Sequence, residues 1–177
     1  MNPNELLTLY AAGQRDFRDL DLFRADFNGA DLSGASLFRC HLFRANLYRA
    51  KLIGTNLFHA DLIGANLSCA NLSGADLSGA NLVGADLSGA DLSGADLSEA
   101  DLSGANLSLA NLSYADLSRA NLFRADLVDA RLNHTKLNGA NLKHTLVKDT
   151  YFAQVVGLSP DLTIALKNQG AILETAA

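Results

Sequence analysis

The feature that most constrains this chain is a period of five. Counting in fives from Phe17 gives Leu22, Phe27, Leu32 and Leu37, and so on through Leu142, Val147 and Phe152, which is 28 consecutive units without an insertion. Of these central residues 24 are Leu, three are Phe and one is Val. Two positions before the central residue stands Ala in 21 units, replaced by Cys40, Thr55, Thr135, Thr145 and Thr150, and by Arg15 and Leu20 at the start. A period of five fits neither a helix, at roughly 3.6, nor a strand, at roughly 2, so ordinary amphipathic elements are excluded. Fixed self-similarity of this kind predicts a solenoid, in which each unit buries its apolar slots only by stacking on its neighbours. One large and one small inward residue per five suits short extended sides that meet at tight corners. Leu fills the axis, and Ala lets the backbone close in.

A second, longer period supports this reading. The slot after the central residue holds Phe23, Phe43, Ile63 and Val83, then Ser103, then Phe123, all 20 apart, and Phe38 and Phe58 repeat the spacing. The sequence thus carries a texture at 20 as well as at 5.

The unit itself, as in "GADLSGADLSGADLSEADLSGANL" from Gly84 to Leu107, resembles the pentapeptide-repeat family over residues 15–154. The resemblance implies an all-β solenoid, a right-handed quadrilateral β-helix of about seven coils. The segment "LLTLYAAGQRDF", Leu6 to Phe17, is similar to the short leader of many cyanobacterial members. Seven coils at the strand spacing of roughly 4.8 Å give a rod on the order of 30 Å long. The expected organisation is an N-terminal helical cap over 1–14, the β-helix over 15–154, and a C-terminal helical cap or tail over 155–177. Asn2, Pro3 and Glu5 form a helix-start signal with Gly13 as a stop, which predicts a helix from Pro3 to Ala12. Ser159, Pro160 and Asp161 repeat the device, with Gly170 closing a helix in which Leu162, Ala165 and Leu166 share a face. These helices are expected to cover the open ends of the rod. Ile172 and Leu173 beyond the second one leave open a homodimer through the C-terminal tail.

Charge is unevenly spread within the net −5. Residues 1–60 carry seven Lys/Arg against six Asp/Glu, residues 61–115 none against seven, and residues 116–177 seven against six. An acidic centre with no cationic track argues against general nucleic-acid binding. The N-terminus lacks a basic segment followed by an apolar one, and no stretch approaches roughly 18 continuous apolar residues, so a cytoplasmic protein without a membrane span is expected. Cys40 and Cys69 occupy different slots of the unit and are read as free thiols.

The repeat also manufactures motifs that carry no chemistry. Asn66-Leu67-Ser68 and its copies at Asn71, Asn106 and Asn111 fit a glycosylation sequon without a secretory signal to deliver them. Gly74 to Gly79 has phosphate-loop spacing, but Ala80 stands where the Lys belongs. Eleven units carry Ser after the central residue, yet a nucleophile needs a base within reach, and of His41, His59, His134 and His144 only the first two are near one another. No cofactor and no metal site is expected, and the chain is read as non-enzymatic.

Two readings of function remain. The slot before the central residue holds Asp in 12 units and Asn in nine, so it accounts for 12 of the 19 acids. Both residues hydrogen-bond to the backbone at turns. Some pentapeptide-repeat proteins imitate duplex DNA and act on DNA gyrase, and the resemblance leaves that as the alternative. Those members carry more Phe at the centre and in some cases protruding loops, whereas this chain has Phe17, Phe27 and Phe152 alone at the centre and no loop between 17 and 152.

What departs from the monotony lies in the first coils, in "LFRA", "LFRC", "LFRA", "LYRA" and "LFHA". Phe23, Arg24, Phe38, Arg39, Phe43, Arg44, Tyr48, Arg49, Phe58, His59 and Ile63 are expected to form one outward patch of aromatics interleaved with arginines. Interface hot spots favour such residues, which makes a rigid scaffold for an unknown protein partner the leading reading. The competing reading is a ladder of stacked aromatics, each cross-strand pair stabilising by roughly 0.2–1 kcal/mol and binding nothing.

Overall fold

The computed structural model describes residues 1–174. Its backbone is one solenoid in which each residue before a central position bridges, in parallel, the residue 20 further on, from Asp16↔Ser36 through Lys136↔Val156. The central positions all face inward, from Phe17 at 2% exposed through the fully buried Leu32 to Phe152. They form one continuous core with the Ala slots. A buried Leu contributes roughly 1.5–3 kcal/mol before chain entropy is subtracted, so repetition alone supplies the driving force for folding.

Each unit closes with a tight turn. The N–H of the next Ala donates to the C=O of the central residue, as from Ala25 to Leu22 at 3.0 Å. The third residue of that turn has positive φ, near +60°, as at Gly84 (+62°) and Arg39 (+54°). Type II turns require this conformation, and Gly adopts it without strain. The Asp or Asn before the central residue accepts, through its side-chain oxygen, the N–H two residues on, as from Phe23 to Asp21 at 3.1 Å and from Phe58 to Asn56 at 3.0 Å. The abundant Asp and Asn are thereby accounted for as turn formers. Backbone groups not used in the turn bond to the next coil, as from the Leu22 N–H to the His41 C=O at 2.9 Å and from the Arg24 N–H to the Phe43 C=O at 3.0 Å.

The non-Ala residues of the small slot have their own logic. The hydroxyls of Thr55, Thr135, Thr145 and Thr150 and the thiol of Cys40 each donate to a backbone C=O 23 residues earlier, at 2.6–3.0 Å. A buried polar atom is satisfied in every case, as burial demands.

Two helices flank the solenoid. Helix α1 spans Pro3–Ala11, with Asn2 accepting the Glu5 N–H at 2.9 Å, and it seats the fully buried Leu6 on the core. Tyr10 ties it down by donating to the Ser33 C=O at 2.8 Å. Strand β1, Tyr151–Ala153, lies in the last unit, around its central Phe152. Helix α2 spans Pro160–Asn168 with Ser159 as its N-cap. Leu166 is buried and Leu162 half-buried, whereas Ala165, expected on the same face, is exposed. Strand β2, Ile172–Glu174, then pairs in parallel with β1, Tyr151 opposite Ile172. Among the described residues no helix is long and apolar enough to cross a membrane.

Candidate protein-interaction face

The turn dictates where the outward residues go. The residue after the central position and the one following it occupy the two middle positions of the same turn, so each "FR" or "YR" pair stands side by side at a corner. In that geometry the guanidinium lies over the preceding ring. Arg24 is 5.0 Å from the Phe23 ring centre, Arg44 is 5.2 Å from Phe43, Arg49 is 5.0 Å from Tyr48, and Arg39 is 5.9 Å from Phe38. Each is within the range of a cation–π contact. The expected interleaving of aromatics and arginines did not include this pairing, because spacing alone does not show that the two residues share one turn.

The 20-residue stack supplies the other direction. Phe23 and Phe43 lie face to face at 5.8 Å with 7° between planes, and Phe38 and Phe58 at 5.6 Å and 5°. Such pairs contribute roughly 0.5–1.5 kcal/mol beyond their burial. His59 meets the edge of Phe58 at 4.1 Å, and its Nδ1 is 3.1 Å from the Gly79 C=O. Its ring covers Gly79 so closely that a Cβ there would stand 2.5 Å away. Arg44 similarly leans over Gly64, which would present a Cβ 3.5 Å from its Cγ.

The eleven expected residues therefore fall into three columns in succession round the coil. One holds Phe38 and Phe58 with Arg39 and His59. The next holds Phe23, Phe43 and Ile63 with Arg24 and Arg44, and the third holds Tyr48 and Arg49. Among the described residues no ring stack crosses from one column to another. Phe23, at 54% exposed, is the most open of the rings, whereas Phe38, Phe43, Tyr48, Phe58 and Ile63 are half-buried and the four arginines and His59 are exposed.

The same residues share the positive φ of the turn slot, as do twelve other non-Gly residues among those described. Arg24, Arg39, Arg44, Arg49 and His59 all sit at φ between +52° and +55°, in the slot that Gly fills in most of the central units. A side chain there costs about 1 kcal/mol or more relative to Gly. Such conformations persist where the side chain is wanted and the surroundings hold it.

The other candidate features are less concentrated. The acids of the central segment spread over all four columns of bridges, because successive units face successive sides. In three of the columns Asp alternates with Asn through the centre, and the amide donates to the carboxylate one coil away, as from Asn106 to Asp86 and from Asn121 to Asp101, both at 3.2 Å. Only Asp76, Asp96 and Asp116 succeed one another directly in one column. Lys136 ends that run with an ion pair of 3.0 Å to Asp116. His41 and His59 share a shallow recess of about 360 Å³ with Asp19, Arg39 and Asp61. Among the described residues no group of three His, Cys, Asp or Glu side chains is placed to hold a metal ion. Cys40 is buried and Cys69 exposed, and both are free thiols.

A solenoid of five-residue units, with a filled core and side chains displayed at its turns, is a repeat protein of the β-helix kind. This chain belongs to the pentapeptide repeat family, whose model matches eight copies over residues 21–57, 55–94, 90–127 and 125–146. It is similar to HetL, a pentapeptide repeat protein involved in heterocyst differentiation regulation from the cyanobacterium Nostoc sp. strain PCC 7120. The two are 33% identical over 89% of this chain and 91% of that one, with a TM-score of 0.39. A pentapeptide repeat protein from the Arabidopsis thaliana thylakoid lumen is also 33% identical, over 67% of this chain and 76% of its own, with a TM-score of 0.40. QnrB1, a plasmid-mediated fluoroquinolone resistance protein, is 17% identical over 91% of this chain and 89% of its own, with a TM-score of 0.43. No curated protein matches the chain.

Proposed function

We propose that the protein is a non-enzymatic scaffold, a seven-coil right-handed β-helix closed by helical caps over 1–14 and 155–174, the remainder of the cap expected over 155–177 lying outside the described residues, that binds a protein partner through its aromatic–arginine columns. The observation that carries this reading is the placement of four arginines and a histidine at positive φ. Gly would be less strained there, and it holds most of the equivalent slots of the central units. A ladder built for stability alone needs the stacked rings but not the strained cations beside them. The tail's pairing within the chain, β2 on β1, supports end-covering over a homodimer contact. Free thiols are consistent with a cytoplasmic setting.

The alternative, mimicry of DNA toward gyrase, requires a continuous acidic face. Its support is confined to Asp76, Asp96 and Asp116, since the other columns dilute carboxylate with amide.

The test is affinity capture with paired baits. Arg24→Gly/Arg44→Gly/Arg49→Gly relieves strain while stripping the cations, so its fold is expected to survive intact. Phe43→Ser/Phe58→Ser removes both ring stacks. The reading expects a protein retained by the wild type and lost by both variants, with the arginine variant melting no lower than wild type. Retention by all three baits, together with loss on Asp76→Asn/Asp96→Asn/Asp116→Asn, would establish the acidic alternative instead.

A further inference from the structure

Resting on that reading, we infer that the partner presents an acidic helical segment to Arg24, Arg44 and Arg49, with an apolar side chain against Phe23. The charges of the first coils are not equivalent. Arg18 is paired with Asp16 at 2.7 Å, Arg39 with Asp19 at 3.6 Å and Lys51 with Asp31 at 3.9 Å. Among the described residues no carboxylate oxygen lies within 4.0 Å of Arg24, Arg44 or Arg49. Their acidic neighbours are already engaged: Asp21 accepts the Phe23 N–H at 3.1 Å, and Asp26 accepts from the Asn28 N–H at 3.1 Å and the Asn46 side chain at 2.8 Å. The three guanidiniums are held in place by rings instead of by counter-charges. A preorganised cation with no internal partner complements an anion brought from outside.

Spacing narrows the class. Arg24 and Arg44 belong to successive coils, roughly 4.8 Å apart. Carboxylates at i and i+4 of a helix stand roughly 5–6 Å apart at their Cβ atoms and match that step. The Phe23 ring, 54% exposed at the end of its stack, offers an apolar seat beside them. A nucleic acid fits less well. Its phosphates continue in both directions, whereas beyond Arg49 only Lys51 follows, already paired with Asp31, and residues 61–115 contain no Lys or Arg.

The test uses the full chain and a fluorescein-labelled helical peptide carrying Glu at i and i+4 with Leu between. The controls are the same peptide with Gln for Glu and a labelled duplex oligonucleotide, all read by anisotropy. The Glu peptide is expected to bind, to weaken about tenfold or more between low and high salt, and to weaken about tenfold or more in Arg24→Gln/Arg44→Gln/Arg49→Gln. Arg119→Gln, whose arginine is paired with Glu99 at 3.0 Å, is expected to change nothing. Equal binding of the Glu and Gln peptides, no binding of either, or indifference to the triple change overturns the inference, and tighter binding of the duplex replaces it with nucleic acid. A captured partner that depends on Phe43 and Phe58 would still uphold the scaffold reading in any of those cases.

Discussion

At the scale of the residue, the chain is governed by one slot of its unit. The second outward position must take positive φ, and what stands there reports whether the side chain is merely tolerated or is used. Leu109 is the plainest test, at φ +62° and 67% exposed, with nothing in the structure to explain its presence. Leu109→Gly is expected to stabilise the protein by roughly 0.5–1 kcal/mol, read from chemical denaturation, because it relieves a left-handed side chain without emptying the core. Cys40 offers a second test. Burial pushes its thiol from 9.0 up to about 11, so the folded state holds the proton more tightly than the unfolded chain does. Its contribution is complete below pH 9 and is lost as pH rises toward 11. Denaturation of wild type beside Cys40→Ala across that window should show a steeper decline in the wild type. Alkylation of the native protein should modify Cys69 and spare Cys40.

At the scale of the element, the column of bridges replaces the strand as the unit of structure, and carboxylate and amide alternate along it for an electrostatic reason. Like charges directly opposite destabilise a strand pair, whereas an Asn donating to an Asp does not. The run of Asp76, Asp96 and Asp116 is the exception. Asp96→Asn is therefore expected to stabilise by roughly 0.2–1 kcal/mol at low salt. The gain should shrink as salt is added, since these side chains are screened by solvent. Unchanged stability at every salt concentration would mean that the column carries no repulsion.

The same scale shows why some of this was legible in the sequence and some was not. Burial selects Leu and Ala at fixed spacing, so the core from Phe17 to Phe152 could be read residue by residue, and the side-chain oxygens of Asp and Asn announced the turns. The helix starts were equally plain, because Asn2 and Ser159 precede prolines. The cation–π pairs were hidden, because nothing in the spacing says that two adjacent residues share one turn. The quenching of Arg39 by Asp19, 20 residues away, and the freedom of Arg44 were hidden too, since they depend on which acid happens to occupy the neighbouring coil. The distribution of the acidic middle was hidden as well. A run that is dense along the chain is wound round four sides and becomes dilute on each.

At the scale of the whole molecule, the fold separates two tasks. A core of repeated Leu and Ala holds a rigid rod and leaves the turns free to vary, and the variation is concentrated in the first coils and near the C-terminal end. Flanking helices bring Leu6 and Leu166 onto the core, and β2 lies on the edge of β1. A partner of the proposed kind would meet a preformed surface, with little ordering required on binding. The most direct measurement is oxidative footprinting of the chain alone and in complex with the protein it captures. The account predicts that Phe23, Phe43 and Tyr48 become protected while Tyr114, several coils further along the rod, keeps its reactivity. Unchanged reactivity of those three rings, with protection elsewhere on the rod, would contradict it.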